Sequence, residues 1–461
     1  DATLSGGDCG PEFLYLAKGG LSGAARITTL GLTETGLEKG RDVEPLVVSS
    51  SGDVLRGTAD GWESVEAGAL RGVRPASATL NSKTVFCDGR GYRVYDHQLR
   101  QLRDFEEAVK GNFPARCTLI AAYRNRLILA GGDNAFTVYQ SRIGDVFDFE
   151  FGNEVQSIGQ AVAGTTAVNG LSPEPITALI PWRDDLLYIG TSESLFVLTG
   201  DLGDGGRLDH VDKSQGVAPG YAWCESPVGI YYFSGRGGVM LVSPRGLRMV
   251  SSGAIQRRLE ELDLAANRIE MAYNWIDKTV HVYVIPKSLG GGVDHFTFEE
   301  PTGAWHLDSF GAGFERAITA ASSLVGDTPE DRSLMLGMAD GQVYRWDQYA
   351  DDDAGRPVES FAVVGPLLPE SSGVEAHVSG VYGQLASDQA GLQVGVRGSN
   401  SPDAPGLPGA FKALEPGRGF GVGFNVTAPS LFIEVRGLGR SWSAHAMRVE
   451  IGQRGSSRRV N

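Results

Sequence analysis

The sequence contains little of what marks disulfide-stapled, zinc-binding or membrane-spanning proteins. Its four cysteines, Cys9, Cys87, Cys117 and Cys224, are widely spaced and form no C-x-x-C pair, so buried free thiols are expected rather than a zinc site or a disulfide framework. No apolar run approaches the roughly 18 residues that would cross a bilayer. Because the numbering begins at Asp1, a removed signal peptide is not excluded.

Motifs for metals, phosphates and nucleophiles are also absent. The seven histidines show no H-E-x-x-H or H-x-H spacing, and there is no Walker phosphate loop and no G-x-S-x-G elbow. The acidic stretch from Asp201 to Asp212 lacks the residue order of a calcium loop; a solvated loop between blades is expected, and whether it binds an ion stays open from the sequence. The sequence therefore predicts no catalytic residue, no cofactor-binding residue and no metal ligand.

The charge balance restricts the partners. A formal net charge of -15 argues against a protein whose whole surface grips nucleic acid, because phosphate binding depends on Lys and Arg clusters. It does not argue against a wall along which DNA slides. Sixty-four glycines without a collagen period, together with 41% hydrophobic residues, favour a turn-rich all-β protein over a disordered one.

The sequence does contain a repeated pattern of short strands and turns, which is clearest between Ile176 and Asp201. Three short apolar runs follow one another there with tight polar breaks, which predicts an antiparallel meander. The pattern recurs with a loose period, giving seven or eight irregular units between Phe13 and Trp346. A unit of three strands cannot bury both of its faces alone, so residues 1–350 are predicted to form a β-propeller.

Large aromatic residues precede several of the turns. Tyr123, Trp182, Trp223 and Trp275 each stand at or near the end of a first strand. We expect them to pack between adjacent blades, because a Trp or Tyr buries much area and can satisfy its polar atom at the edge.

Two segments depart from the repeat. Residues 252–273 are predicted to form a helix, because Ser252 can cap it and Ile255, Leu259 and Leu262 recur at helical spacing. Residues 140–172 read as an insertion and are the best candidate for an arm that contacts a partner.

The composition changes after Trp346. Asp351 to Asp353 is expected to lie in an exposed linker or loop, and residues 351–461 alternate short strands with Gly and Pro but without the blade grammar. This segment predicts a separate C-terminal β-sandwich or jelly-roll domain.

Several stretches resemble a known family. They are Pro181 to Asp184 with the strand that follows, Leu195 to Gly200, Lys213 to Gly220 and Tyr232 to Ser234. Tyr123 to Leu127, Tyr139 to Ser141 and Asp145 to Phe149 add to the pattern. In this order they are similar to the tail hub, or nozzle, proteins of short-tailed bacteriophages, which include the packaged-DNA stabilisation proteins.

The resemblance implies a structural, non-enzymatic virion protein. Its subunits would form a hexameric ring below the portal and adaptor, closed by a needle or fibre protein, and would retain packaged double-stranded DNA and line part of its exit channel. No insertion into a membrane is expected. The Asp201 to Asp209 stretch and the Gly-rich C-terminal domain have no residue-by-residue counterpart in the resemblance.

Two other functions stay open from the residues alone. One is a secreted β-propeller that binds or hydrolyses glycans, which requires carboxylates and aromatics gathered at one mouth of the propeller. The other is a propeller scaffold for protein partners.

Overall fold

The computed structural model describes most of the chain in stretches separated by gaps. The described residues are 14–16, 46–49, 51–58, 61–70, 75–152, 159–166, 174–183, 185–287, 293–308, 318–324, 332–338, 343–346, 352–353, 356–357, 359–369, 374–389, 391–402, 406, 409–415, 417–438 and 444–454. Regular structure in these ranges is almost entirely β-strand, as the composition predicted. No helix within them is long and apolar enough to cross a membrane.

The chain divides into two compact units. Unit 1 comprises Asp1–Ser309 and Gly313–Gln348, and unit 2 comprises Phe310–Ala312 and Tyr349–Asn461.

Unit 1 contains, among its described residues, seven consecutive antiparallel sheets in which the strands follow chain order from one edge to the other. The strands of these sheets are: sheet 1, β1 (Leu14–Leu16), β2 (Leu46–Ser49), β3 (Val54–Thr58) and β4 (Gly61–Glu66); sheet 2, β5 (Ala76–Leu80), β6 (Lys83–Cys87), β7 (Tyr92–Asp96) and β8 (Gln101–Asp104); sheet 3, β10 (Leu119–Tyr123), β11 (Arg126–Ala130), β12 (Thr137–Gln140) and β14 (Val162–Thr165); sheet 4, β15 (Ile176–Trp182), β16 (Leu186–Thr191), β17 (Leu195–Thr199) and β18 (Arg207–Asp212); sheet 5, β19 (Trp223–Ser226), β20 (Gly229–Phe233), β21 (Val239–Ser243) and β22 (Gly246–Met249); sheet 6, β23 (Asn267–Asn274), β24 (Thr279–Pro286), β25 (Asp294–Glu299) and β26 (Ala304–Asp308); sheet 7, β27 (Ile318–Leu324), β28 (Ser333–Met338) and β29 (Val343–Arg345).

Sheet 4 illustrates how the sequence builds these meanders. Its three expected strands are β15, β16 and β17, with Leu187 opposite Leu198 in the pairing of the last two. Arg183 takes a left-handed conformation, with φ of 56°, in the turn between the first two; Asp184 lies outside the described residues. The expected loop that follows is a further strand, because Arg207–Asp212 pairs with β17.

Neighbouring sheets pack through buried apolar side chains. Sheets 5 and 6 share a cluster that includes Tyr231, Phe233, Met271 and Phe296, and similar clusters join sheets 1 to 2, 2 to 3, 3 to 4 and 4 to 5. Full burial of one such side chain contributes about 1.5–3 kcal/mol. These layers therefore hold the successive sheets together.

The first and last sheets are also neighbours. Val47 and Leu55 of sheet 1 share a buried cluster with Ala320, Met335 and Val343 of sheet 7. The strand β1 lies against β27 as well.

The helix predicted over residues 252–273 is much shorter. It forms α1 (Gly253–Glu260), whose N-cap Ser252 has an extended backbone but makes no side-chain capping hydrogen bond. Leu259 is buried between sheets 5 and 6. The Asp263 carboxylate then accepts a hydrogen bond from the backbone N–H of Ala265 in a turn, and the following residues pair as β23. The predicted helix is too long because its second half overlaps strand β23, whose residues are buried on both faces.

The insertion predicted at residues 140–172 belongs, in its described part, to the body of the fold. It contains the edge strand β14 of sheet 3 and the strand β13 (Asp148–Phe149), which pairs in parallel with β9 (Lys110–Gly111). Phe147, Phe149 and Phe151 pack in the cluster between sheets 2 and 3. This part is therefore not a free arm; residues 153–158 and 167–173 lie outside the described residues.

Unit 2 contains two sheets and a short hairpin within its described residues. The first sheet has the order β32 (Glu359–Leu367), β37 (Ser430–Leu438), β34 (Gln393–Ser399), β35 (Lys412–Ala413); the second has the order β36 (Gly417–Ala428), β33 (Glu375–Gln389), β38 (Ala444–Arg454); the hairpin joins β30 (Asp352–Asp353) to β31 (Arg356–Pro357). Both sheets contribute to one apolar cluster, with Val378 from the second and Val394 and Ile433 from the first. The expected linker at Asp352 and Asp353 is thus a paired strand.

Candidate functional site

A cleft of about 790 Å³ opens where the first turns of sheets 3 and 4 meet the end of the first strand of sheet 2. Leu80 comes from sheet 2, Arg124 and Asn125 from the turn of sheet 3, and Asp185 from the turn of sheet 4. Arg124 and Asn125 both have positive φ, at 48° and 56°, which the tight turn between β10 and β11 requires. The remaining lining residues are Ile143, Asp201 and Asp204.

A buried ion pair lies beside the cleft. Arg126 Nε donates to Asp201 Oδ2 at 2.6 Å, and the two side chains are 0% and 7% exposed. The Arg126 Nη1 group also donates to the carbonyl oxygens of Ser141 and Gln160, at 2.5 and 2.7 Å. Asp201 Oδ1 accepts from the backbone N–H of Gly203 and so caps a short 3-10 helix. Asp201 thus serves the fold.

The cleft is open to solvent and is lined mainly by acidic side chains. Apart from Asp201, its lining offers the carboxylates of Asp185 and Asp204 and the guanidinium of Arg124. No aromatic residue is among the described residues that line it. The cleft therefore has one of the two features that a glycan site needs, because the carboxylates are present without a ring on which a sugar could stack.

Tyr123 and Trp182, from the stretches on which the expected likeness to tail hub proteins rests, lie between neighbouring sheets. The Tyr123 hydroxyl lies 2.9 Å from each of the carbonyl oxygens of Asp185 and Gly200 and shares its one hydrogen between them, which ties sheet 3 to sheet 4. Trp182 is 4% exposed and packs in the cluster between sheets 4 and 5. The guanidinium of Arg183 lies 4.7 Å above the Trp182 ring.

The segment from Lys213 to Gly220 ties sheet 4 to sheet 5. Thr177 Oγ1 donates to the carbonyl of Val217 at 2.8 Å, and the backbone N–H of Val217 donates to Thr191 at 2.9 Å. On the other side, the Tyr232 hydroxyl donates to the Gln215 carbonyl at 3.1 Å. These contacts make the segment a strap between two sheets.

A cluster of polar side chains that no sequence motif marked lies on sheet 6. His281 Nδ1 is 2.9 Å from His295 Nε2, and His295 Nε2 is 3.9 Å from Asp308 Oδ2. The Thr297 hydroxyl donates to Asp308 and lies 3.5 Å from His281 Nδ1 and 3.3 Å from His295 Nε2. On the far side of its ring, His281 Nε2 is 2.9 Å from the Thr279 hydroxyl. We call His281, His295, Thr297 and Asp308 the sheet 6 cluster.

Aromatic rings enclose the sheet 6 cluster. The Tyr283 ring stacks on that of His295 with centroids 4.3 Å apart, and the ring of Trp346 meets that of His281 edge-on at 4.9 Å. The Tyr283 hydroxyl is buried and makes no hydrogen bond to any residue that the structure describes.

Burial controls the protonation of this cluster. It lowers the pKa of His281 to about 3 and that of His295 well below its usual range, so both imidazoles are neutral at neutral pH. Burial also raises the pKa of Asp308, although the hydrogen bond from Thr297 opposes that rise. The cluster thus presents neutral imidazole nitrogens beside a carboxyl group.

The residue classes singled out in the sequence have mainly structural positions. Tyr123 and Trp182 are buried between sheets as predicted. Trp223 is partly buried between sheets 4 and 5, and Trp275 between sheets 5 and 6. The thiols of Cys87, Cys117 and Cys224 are buried, as expected, and form no disulfide with one another; Cys9 lies outside the described residues.

These observations define a nearly all-β protein built from small antiparallel sheets. No protein-family model and no curated protein matches the chain. Among solved structures it is similar to the extracellular domain of BT4673 from B. thetaiotaomicron, described as a hybrid two-component system, with 13% identity and a TM-score of 0.45 over 76% of this chain and 41% of that one. The chain therefore spans less than half of that structure's length.

Two further structures show a comparable likeness. Sqt1 of Saccharomyces cerevisiae is 15% identical, with a TM-score of 0.41 over 66% of this chain and 81% of that one. A streptogramin B lyase is 8% identical, with a TM-score of 0.43 over 72% of this chain and 96% of that one. Likenesses at this level assign no function.

Proposed function

We propose that the seven sheets of unit 1 are the blades of a closed β-propeller and that the two sheets of unit 2 form a β-sandwich, with a domain boundary near residue 350. The cluster shared by sheets 1 and 7 supports the closed ring, because it gives the outer face of each terminal sheet a neighbour. In unit 2, the apolar cluster that both sheets share supports the sandwich.

From this architecture we infer a structural, non-enzymatic role. Specifically, we propose that the chain is a tail hub, or nozzle, subunit in the virion of a short-tailed phage. The observation that carries this inference is the position of the residues that resemble the family. Tyr123 joins sheets 3 and 4, and the segment from Lys213 to Gly220 joins sheets 4 and 5. The residues that carry the resemblance therefore hold neighbouring sheets together in a rigid body. A subunit of a ring in a tail must be rigid in this way.

The charge of the chain is compatible with that role. A net charge of -15 and the carboxylates at the cleft disfavour lasting contact with phosphate groups. A wall of this kind would let double-stranded DNA pass without adhering to it. The portal, adaptor and needle or fibre proteins would contact other surfaces of a hexameric ring.

Electron microscopy tests the tail hub role. The phage that encodes the chain should carry it in the tail, and antibody-gold labelling should mark one site below the portal. A nonsense mutation in its gene should yield capsids that lack a closed tail and lose packaged DNA, and supplying the chain in trans should restore them. Labelling elsewhere, or infectious particles without the chain, would overturn the proposal.

The cleft between sheets 3 and 4 supports a second candidate, a propeller that binds glycans. Binding on a glycan array should then be lost when Asp185→Asn and Asp204→Asn are combined, because these carboxylates line the cleft. Asp209→Asn is the matched control, because Asp209 is a half-buried carboxylate on strand β18 that does not line the cleft. An array without signal for the unmodified chain removes this candidate and leaves the tail hub proposal intact.

A further inference from the structure

The two faces of sheet 6 differ in chemistry. Ile269, Met271, Val282 and Phe296 turn one face toward sheet 5 in an apolar cluster. Because side chains alternate along a strand, the residues between them occupy the opposite face. That face carries Glu270, Tyr283 and the sheet 6 cluster, and Trp346 of the strand end after β29 covers it.

Strand pairing brings the polar atoms of this face to one point. His281 lies opposite Thr297 in the pairing of β24 with β25, and His295 lies opposite Asp308 in the pairing of β25 with β26. Two imidazole nitrogens, a hydroxyl and a carboxylate oxygen from three strands therefore converge, and the ligand atoms of the two histidines and Asp308 all lie within 4.8 Å of one another.

We propose that His281, His295 and Asp308, supported by the Thr297 hydroxyl, bind one divalent transition-metal ion, with zinc as the ion of choice. Nitrogen and carboxylate donors together suit zinc and its neighbours better than calcium or magnesium, which take oxygen ligands alone. The ion would replace the proton shared by His281 Nδ1 and His295 Nε2 and would join β24, β25 and β26.

Two of the three donor pairs need only small adjustments. In a tetrahedral zinc site with metal–ligand distances of about 2.0–2.1 Å, the donor atoms lie about 3.3 Å apart. The two histidine nitrogens at 2.9 Å must separate by about 0.4 Å, and His295 Nε2 and Asp308 Oδ2 at 3.9 Å must approach by about 0.6 Å. Small rotations of the three side chains supply these shifts.

The site is also accessible from the edge of the sheet. Asp308 is 35% exposed while His295 is fully buried, so an ion can enter along the Asp308 edge of the sheet. The Tyr283 hydroxyl, stacked over the histidines without a hydrogen bond to any described residue, is a candidate donor to a ligand of the ion.

Metal content and spectroscopy test the site in the full chain. After treatment with EDTA and dialysis, the protein should bind one equivalent of Zn²⁺, measured by mass spectrometry of the metal, and its melting temperature should rise with added Zn²⁺. Co²⁺ in place of Zn²⁺ should give the visible absorption of a four-coordinate site with nitrogen ligands. A wild-type chain that binds no stoichiometric Zn²⁺ or Co²⁺ overturns the proposal without any variant.

Variants locate the bound ion. Loss of an outer-shell partner alone costs about 10–100-fold in metal affinity. Asp308→Asn and His295→Gln each remove a ligand, so each should weaken Zn²⁺ affinity by at least about 100-fold and abolish the Co²⁺ absorption. His306→Gln is the matched control, because His306 lies two residues from Asp308 on β26 but is 55% exposed and outside the cluster. Unchanged affinity in Asp308→Asn, or loss of binding in His306→Gln instead, would contradict the assignment. Should His295→Gln fail to fold, the partly exposed Asp308 still decides the question.

Discussion

At the scale of single residues, the buried ion pair of Arg126 and Asp201 is the contact with the largest expected effect. Arg126→Met removes the cation and the N–H groups that donate to Asp201 Oδ2 and to the carbonyl oxygens of Ser141 and Gln160. Breaking a buried pair in this way costs about 3–5 kcal/mol, so the urea midpoint should fall by that equivalent.

Arg207→Ala is the control for this variant. Arg207 pairs with Asp209 at 2.5 Å, but the arginine is 78% exposed, and an exposed pair contributes about 0–1 kcal/mol. If the two substitutions lowered the free energy of unfolding equally, burial would not be the reason that the Arg126 pair stabilises the fold.

Because of the Cys117 thiol, the free energy of unfolding should change with pH in the alkaline range. Burial raises its pKa from 9.0 to about 11, so between these values the folded chain holds a proton that the unfolded chain releases. Stability therefore falls as pH rises through this window, by about 1 kcal/mol between pH 8 and pH 10. Urea unfolding of the wild type and of Cys117→Ala at both pH values should show a smaller drop in the variant, and equal drops would contradict the assignment.

Sequence patterns predicted residues and strands to different degrees. The buried roles of Tyr123 and Trp182 followed from their place before turns, because a large ring at the end of an inner strand has few other positions. The sheet 6 cluster did not follow, because His281, His295 and Asp308 are 14 and 13 residues apart and only strand register joins them. The alternation of Thr279, His281 and Tyr283 was the signal that could have indicated a polar face.

At the scale of elements, the fourth strands were the hardest to predict. The strand Arg207–Asp212 carries mostly polar residues and lies half-exposed at the edge of sheet 4, so no apolar alternation marked it. The inner strands, such as Leu186–Thr191, are almost wholly buried and were found readily. The apolar pattern of a strand reflects which of its residues are buried. Edge strands bury few residues, so their sequences show little of this pattern.

The strap from Lys213 to Gly220 gives a prediction at this scale. A Cβ at Gly216 would collide with the backbone of Thr191 and Ser192, which cannot move without disturbing sheet 4. Gly216→Ala should therefore lower the free energy of unfolding by about 1–3 kcal/mol, as overpacking does. Thermal melts measure the loss.

Gly91→Ala serves as its matched control. Nothing lies within 4 Å of a Cβ added there, and its φ does not favour glycine. The melting temperature should stay within about 2 °C of wild type. A loss as large as that of Gly216→Ala would mean that the close approach at Gly216 is not the cause.

At the scale of the whole molecule, the two units have separate apolar cores. Leu129 is fully buried between sheets 2 and 3, and Ile433 is fully buried in the cluster of unit 2. Calorimetry should thus show two transitions, with Leu129→Ala lowering one and Ile433→Ala the other, each by the equivalent of about 2–5 kcal/mol. A single transition shifted by both substitutions would show that the units unfold together.

The polar face of sheet 6 also bears on how the chain survives its own synthesis. Sheets emerge from the ribosome in order, so sheet 6 is complete while the residues of sheet 7 are still being added. During that interval the uncovered face presents Glu270, His281 and Thr297 to water. These polar side chains make the face less apolar until sheet 7 covers it, which limits association with other unfinished chains.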